Sequence, residues 1–125
     1  MPGEPDATAL RAGQIVLADW RGDALPKEAN KLRPAVVIES DGLFAPNYPN
    51  VILVPLTEDG DLVVTSLSVP IAPTAENGCT KPCWAAAGLV TATSKARIRP
   101  TPSHVTGDQL AQIRRQIAFA IGLED

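Results

Sequence analysis

The chain has 125 residues, a net charge of −3 and a hydrophobic fraction of 45%, values that suit one folded domain with a single core. The acidic charge excludes a broad electrostatic attraction to nucleic acid, so any polyanion would have to be bound by a local basic patch. No apolar run reaches the roughly 20 residues of a membrane-spanning helix. Twelve prolines and nine glycines favour short strands and many turns.

The N-terminal residues 1–11 are rich in Pro, Gly and acidic side chains, and we predict a flexible arm followed by one domain over residues 12–125. This segment has neither the positive start nor the apolar centre of a secretory signal, so the predicted compartment is the cytoplasm. A first strand is predicted over residues 13–20. The loop that follows, 21–32, carries a mixed set of charges and is long enough to be functional.

Two apolar runs, 33–40 and 51–56, are rich in β-branched residues and predict the second and third strands. Arg33 begins the first run and Thr57 follows the second. If these strands are neighbours, the guanidinium and the hydroxyl lie close together and can bind and polarise a phosphate. The alternative is that Arg33 is an exposed strand-start residue and Thr57 a turn residue.

In the C-terminal half, alternating apolar residues predict a half-buried strand over 62–71, followed by a long loop over 72–82. Residues 83–93 suit either a helix by their alanines or a strand by their Val and Thr, and we predict a strand because Gly88 would interrupt a helix. A turn and a short strand are predicted over 94–98.

One helix is predicted near the C-terminus. Thr106 and Gln109 have the spacing of a capping box, and Gly122 is suitably placed to end the helix. The apolar residues between them recur at helical spacing: Leu110, Ile113, Ile117, Ala120 and Ile121.

Cys79 and Cys83 form a C-x-x-x-C pattern, and His104 is the single histidine. A zinc site usually takes four nitrogen or sulfur ligands, so we predict two reduced, half-buried thiols and no metal. A disulfide is possible in an oxidising compartment, but nothing in the sequence indicates export.

Taken in order, four segments of the sequence resemble the MazF/PemK family of toxins from type II toxin–antitoxin systems. The resemblance extends over nearly all of residues 13–123. It is carried by residues 13–16 with Asp19, by 33–37 (RPAVV), by 54–57 (VPLT) and by 90–97 (VTATSKAR).

The resemblance implies a mainly β fold with a C-terminal helix, a small SH3-like barrel of the CcdB/MazF type, paired as a homodimer. It implies sequence-specific cleavage of single-stranded RNA, mainly messenger RNA, through 2′-hydroxyl attack to a 2′,3′-cyclic phosphate, without a metal or other cofactor. It also implies a cognate MazE/PemI-like antitoxin with a disordered acidic tail, and no membrane partner. The alternative is a non-catalytic toxin of the same fold, directed at gyrase as CcdB is.

The family's catalytic Arg and Thr match Arg33 and Thr57. A guanidinium suits the charge of a phosphorane, and the threonine hydroxyl can donate a hydrogen bond to a phosphate oxygen. Glu28 stands where many relatives have a glutamate, and it is the candidate base. Here the family's Gly-x-Glu-Gln pattern is replaced by Pro-Lys-Glu-Ala-Asn at 26–30, which weakens the match at Glu28.

An RNA-binding patch is predicted from cationic and polar residues in the first loop and in the 94–97 segment; the alternative for the cations is solvated surface. Its members are Lys27, Lys31, Ser94, Lys95 and Arg97.

Three further residues have two readings each. Trp20 and Trp84 suit base stacking, or the core or dimer interface of a chain poor in aromatic residues. His104 precedes the helix and is predicted to be a surface residue rather than a catalytic one.

Overall fold

The computed structural model describes residues 9–20 and 32–123, which form seven strands and one helix. The predicted arm up to residue 8 and the predicted loop up to residue 31 lie outside the described residues. The elements are β1 (Gln14–Asp19), β2 (Leu32–Val37), β3 (Asn50–Thr57), β4 (Ser68–Ile71), β5 (Cys83–Ala86), β6 (Thr91–Ser94), β7 (Ile98–His104) and α1 (Gly107–Ala120).

The strands form one antiparallel sheet in the order β4-β5-β3-β2-β1-β7, with β6 also paired to β3. The mainly β class with a C-terminal helix is therefore confirmed. Within the described part of the chain, the hydrogen-bonded path ends at β4 and at β7, so the sheet does not close on itself.

Strand β3 organises the sheet, because it pairs with β2 along one edge and with both β5 and β6 along the other. The prediction of one strand over 83–93 is wrong in one respect. A 3-10 turn, Ala87–Leu89, separates β5 from β6. Leu53 of β3 pairs with Thr91 of β6, and Leu56 of β3 pairs with Ala85 of β5. These two pairs are three residues apart along β3 but six residues apart along the segment that contains β5 and β6. The 3-10 turn accommodates the extra residues, so β5 and β6 can both pair along the same edge of β3.

The prediction of a strand from residue 62 is also wrong, because 3-10 turns at Gly60–Leu62 and Thr65–Leu67 precede the four residues of β4. The turn and short strand predicted over 94–98 are also misplaced, because Ser94 ends β6, Lys95–Arg97 is a 3-10 turn, and the seven residues of β7 begin only at Ile98. Strand β7 contains Pro100 and Pro102. Because β7 lies at the end of the sheet and pairs with β1 alone, prolines that cannot donate a ladder hydrogen bond are tolerated there.

Alternate residues of β1, β2 and β3 pack into two apolar clusters on opposite sides of the sheet. The first cluster includes Ile15, Val36 and Leu56 and extends to Ile113 of the helix. The second includes Val16, Ala18, Trp20, Ala35, Val37, Val51 and Leu53. In the second cluster the indole Nε1 of Trp20 donates to Thr93 Oγ1 at 2.9 Å, which ties β1 to β6 across the interior.

The helix begins as predicted. The amide of Gln109 donates to Thr106 Oγ1 at 3.0 Å, and Gln109 Oε1 accepts from the Thr106 amide at 2.9 Å. Ile113 is fully buried, whereas Ile121 is 63% exposed, so the apolar stripe is covered near its middle and not at its end. Gly122, with φ of +85°, follows the last turn. At 14 residues this helix is too short to cross a membrane, and no other α-helix occurs in residues 9–20 and 32–123.

Candidate active site

The structure brings Arg33 and Thr57 together at one end of the β2–β3 pair. Ala35 pairs with Pro55, and the same register continued by two residues places Arg33 opposite Thr57. The Arg33 guanidinium donates from Nη2 to the carbonyl oxygen of Leu56 at 3.3 Å. The prediction that β2 and β3 are neighbours is therefore confirmed, and their register places Arg33 and Thr57 at the same end of the pair.

Both side chains are buried, with accessible fractions of 3% for Arg33 and 1% for Thr57. The alternative of an exposed strand-start residue and a turn residue is therefore wrong. Burial lowers the pKa of the Arg33 guanidinium, and the carboxylates of Asp59 and Glu58 partly offset this effect by favouring the charged form. The guanidinium is the group that can bind an anion that enters the site, and the two carboxylates act against that binding.

A compact acidic turn orders the residues after β3. The amide of Asp59 donates to Thr57 Oγ1 at 3.0 Å, and the amide of Asp61 donates to Asp59 Oδ1 at 2.9 Å. Thr57 also pairs with Trp84 of β5. The turn thus occupies one acceptor lone pair of the threonine hydroxyl, and the hydroxyl can still donate a hydrogen bond through its proton.

Sequence reasoning missed Glu58 and Asp59 as members of this site. Two acidic residues directly follow Thr57 in the sequence, but the Asp-Gly pattern at this point is typical of a turn and does not by itself indicate a site. Their proximity to Arg33 depends on the pairing of β2 with β3, which sequence spacing alone does not fix.

The predicted residues of the 94–97 segment lie in two different places. Ser94 pairs with Asn50, at the opposite end of β3 from Thr57, a separation of about 23 Å at the usual rise per strand residue. Lys95 Nζ donates to the carbonyl oxygen of Pro46 at 3.3 Å, so Lys95 also lies at that end. Arg97 is exposed and directly precedes Ile98, and Ile98 and Arg33 both pair with Ala18 from opposite sides of β1. The structure therefore places Arg97, but not Ser94 or Lys95, at the end of the sheet that carries Arg33. Glu28, Lys27 and Lys31 lie outside the described residues.

The remaining candidates have clear positions. Trp20 is 8% exposed and belongs to the second core cluster, as the core reading predicted. Trp84 is half-buried next to the acidic turn, opposite Thr57. His104 is exposed at the end of β7, so the prediction of a surface histidine is confirmed.

A family model described as "PemK-like, MazF-like toxin of type II toxin-antitoxin system" matches residues 11–121. The chain belongs to the MazF/PemK toxin family. The resemblance inferred from four short segments is thus confirmed over most of the chain. Comparison with curated proteins finds no match.

Solved structures of MazF/PemK-type proteins share the fold of this chain. An endoribonuclease in complex with its cognate antitoxin, from a mycobacterial species, superposes with a TM-score of 0.71 at 18% identity, covering 94% of this chain and 99% of that one. MazF of Deinococcus radiodurans gives 0.70 at 19% identity, covering 91% and 97%. The Mycobacterium tuberculosis toxin MazF-mt6 gives 0.68 at 19% identity, covering 90% and 99%.

Proposed function

We propose that this MazF/PemK toxin is a sequence-specific endoribonuclease that cleaves single-stranded RNA, mainly messenger RNA, without a metal or other cofactor. The observation that carries the proposal is the burial of Arg33 against Thr57 at the ends of β2 and β3. A structural role alone does not require a buried guanidinium there, since desolvating a charge is costly. Solved structures of the same fold include proteins described as endoribonucleases.

In the proposed reaction, the 2′-oxygen of the RNA attacks the adjacent phosphorus and the bond to the 5′-oxygen breaks. The products are a 2′,3′-cyclic phosphate and a free 5′-hydroxyl. Arg33 stabilises the charge that develops on the phosphorane oxygens. Thr57 donates a hydrogen bond to one of those oxygens and orients the phosphate. Glu28 removes the 2′-hydroxyl proton, and the departing 5′-oxygen takes up a proton from water to become the 5′-hydroxyl.

Access to this site requires a conformational change. Because Arg33 and Thr57 are only 3% and 1% exposed, a phosphate contacts them only after a path to the end of β2 and β3 has opened. RNA contacts outside the site can supply the free energy for this opening. We assign those contacts to Lys27, Lys31, Ser94, Lys95 and Arg97.

The distance between Lys95 and Thr57 along β3 is consistent with separate roles in RNA binding and in catalysis. Lys95 directly follows Ser94, at the far end of β3 from Thr57, so an RNA strand that contacts both Lys95 and the site must span the length of β3. A short dinucleotide would reach Arg33 without contacting Lys95. An RNA strand that is bound at both ends of β3 exposes the bases between these two points to the protein, and we assign sequence recognition to those bases.

The proposal includes the family's partners. We propose a homodimer in the cytoplasm that is inhibited by a MazE/PemI-like antitoxin, whose acidic tail would compete with RNA for the cationic residues. One structure of the same fold is described as a complex with its cognate antitoxin. Exposed apolar side chains at the end of α1, Phe119 and Ile121, provide apolar surface for pairing with a second copy.

The decisive experiment is cleavage of mixed-sequence single-stranded RNA in EDTA by the purified protein. Fragments ending in a 2′,3′-cyclic phosphate are expected. Arg33→Ala should lower kcat/KM by about 100-fold or more, the usual effect of removing a preorganised charge at a reacting phosphate. Thr57→Val should lower it about tenfold, because the shape is kept and the hydroxyl is lost.

Matched variants separate catalysis from stability. Thr57→Ser keeps the hydroxyl and should retain most activity, while Arg33→Lys keeps the charge without the planar fork and should stay impaired. Thermal unfolding of each variant shows whether activity is lost through unfolding. Absence of cleavage by the folded wild-type protein would favour the non-catalytic, gyrase-directed alternative. Cleavage that survives Arg33→Ala would remove Arg33 from the reaction.

A further inference from the structure

Two thiols face each other in the wall of a cavity. The Sγ atoms of Cys79 and Cys83 lie 3.9 Å apart, and both cysteines are unoxidised. The cavity has a volume of about 270 Å³ and is also lined by Pro34, Leu56 and Glu58. It therefore lies behind the residues that flank Arg33 and Thr57. Cys79 is half-buried, as predicted, whereas Cys83 is buried.

The two thiols are held from independent sides. Cys79 lies within the loop between β4 and β5, where Asn77 Oδ1 accepts from the Cys79 amide at 2.9 Å and Asn77 Nδ2 donates to the Ala72 carbonyl at 2.9 Å. Cys83 is the first residue of β5 and pairs with Ile71 of β4. Neither the loop nor the strand must unfold for the sulfur atoms to meet. An approach of about 2 Å reaches the length of a disulfide bond.

We propose that Cys79 and Cys83 form a thiol–disulfide exchange site that takes low-molecular-weight disulfides as its substrate class and closes to an intramolecular disulfide. The Cys79 thiolate attacks one sulfur of the small disulfide, forming a mixed disulfide and releasing one small thiol. Cys83 then attacks Cys79 Sγ and releases the second small thiol. The protein pair is oxidised, the small disulfide is reduced to two thiols, and the two protein protons go to those thiols. This inference does not depend on the proposed RNA cleavage.

The environment assigns the order of attack. Burial, followed by the neighbouring Cys79 and Glu58, raises the pKa of the Cys83 thiol to about 12. Lys81 also lines the cavity. Cys79, the more accessible thiol, therefore reacts first with a molecule in the cavity, and Cys83 reacts second, when a disulfide sulfur has been placed next to it.

The test uses the full-length protein, freed of reductant and incubated without oxygen with bis(2-hydroxyethyl) disulfide, a small neutral probe. Samples are quenched in acid and their intact masses measured. The folded wild-type chain should lose two hydrogen atoms and carry no adduct. Cys83→Ser should instead trap one mercaptoethanol adduct on Cys79. Cys79→Ser should acquire its adduct at least about tenfold more slowly, because the remaining thiol is buried.

Circular dichroism and thermal unfolding establish that each variant is folded, and Cys83→Ala serves if Cys83→Ser is not. In denaturant, Cys79→Ser and Cys83→Ser should react at similar rates. The proposal is overturned if folded wild-type protein keeps both thiols while the denatured chain oxidises. It is also overturned if the folded protein accumulates stable mixed disulfides, or dimers joined by a disulfide, in place of the internal bond.

Discussion

A buried guanidinium next to acidic residues determines what the candidate site can do. Arg33 loses hydration on burial, and its bond to the Leu56 carbonyl and the nearby carboxylates of Asp59 and Glu58 compensate for part of that loss. A phosphate that enters would replace these acidic neighbours as the counter-charge. Because the two carboxylates also repel an anion, an RNA phosphate has to compete with them for the guanidinium.

Two glutamates compete for the role of general base, and a pair of matched substitutions distinguishes them. Glu28 is assigned by the family pattern, whereas Glu58 directly follows Thr57 and acts electrostatically on Arg33. We expect Glu28→Gln to lower kcat by about 100-fold or more, the usual contribution of a positioned base. Glu58→Gln should lower it by less than about tenfold.

Single-turnover cleavage rates across a range of pH provide the measurement. Loss of the base should remove the acidic limb of the pH–rate profile, because that limb reports deprotonation of the base. If Glu58→Gln rather than Glu28→Gln removes the limb, the base belongs to the acidic turn, and the family assignment of Glu28 does not hold in this chain.

At the scale of elements, the start of α1 is stabilised by residues that are close together in the sequence. Both hydrogen bonds of the capping box form between Thr106 and Gln109, so their energy depends little on the rest of the fold. Thr106→Ala should lower the free energy of unfolding by about 1 kcal/mol, whereas Thr106→Ser should leave it within a few tenths of a kcal/mol.

Urea unfolding followed by circular dichroism measures this difference. Both variants should keep the wild-type dependence of unfolding free energy on urea concentration, because the cap does not change the surface exposed on unfolding. An equal loss in Thr106→Ala and Thr106→Ser would show that the threonine methyl group, rather than the hydroxyl, stabilises the start of the helix.

The 3-10 turn between β5 and β6, unlike the helix cap, depends on a contact with a residue that is distant in the sequence. Ala87 is buried and Gly88 lies so close to Leu67 that a Cβ built on it would come within 3.1 Å of the leucine Cδ1. Gly88 was interpreted only as a residue that excludes a helix. Its contact with the preceding 3-10 turn exists only after β4 and β5 have paired, so local sequence rules could not identify it.

At the scale of the whole molecule, an acidic protein that binds RNA must do so through few cations. With a net charge of −3, the proposed contacts are Lys27, Lys31, Lys95, Arg97 and Arg33. We expect log K for a non-cleavable 2′-O-methyl RNA to fall with log salt with a slope no steeper than about −3.5, at roughly 0.7 for each phosphate neutralised on a single strand.

Two variants with the same change in net charge test the location of this surface. Lys95→Gln should reduce the slope by about 0.7, whereas Arg115→Gln, an exposed cation on α1, should leave it unchanged. Filter binding or fluorescence anisotropy over a range of salt concentrations gives both slopes. Equal changes would indicate a response to total charge and would remove Lys95 from the proposed contacts.

The sequence by itself determined what is encoded within short stretches. Strands β1 and β3, the placement of Arg33 and Thr57 on neighbouring strands and the cap of α1 followed from β-branched runs, the order of the family-like segments and side-chain spacing along a helix. These features are local, or depend on the pairing of two successive strands, which is the commonest arrangement.

Only the tertiary structure decided what depends on contacts between distant segments. It split residues 83–93 into two strands along β3, placed Ser94 and Lys95 at the opposite end of β3 from Thr57, and set Glu58 near Arg33. It also brought the thiols of Cys79 and Cys83 to 3.9 Å. Register and side-chain packing fix these distances. They arise when the apolar faces of separate strands are buried together, which no spacing along one strand can specify.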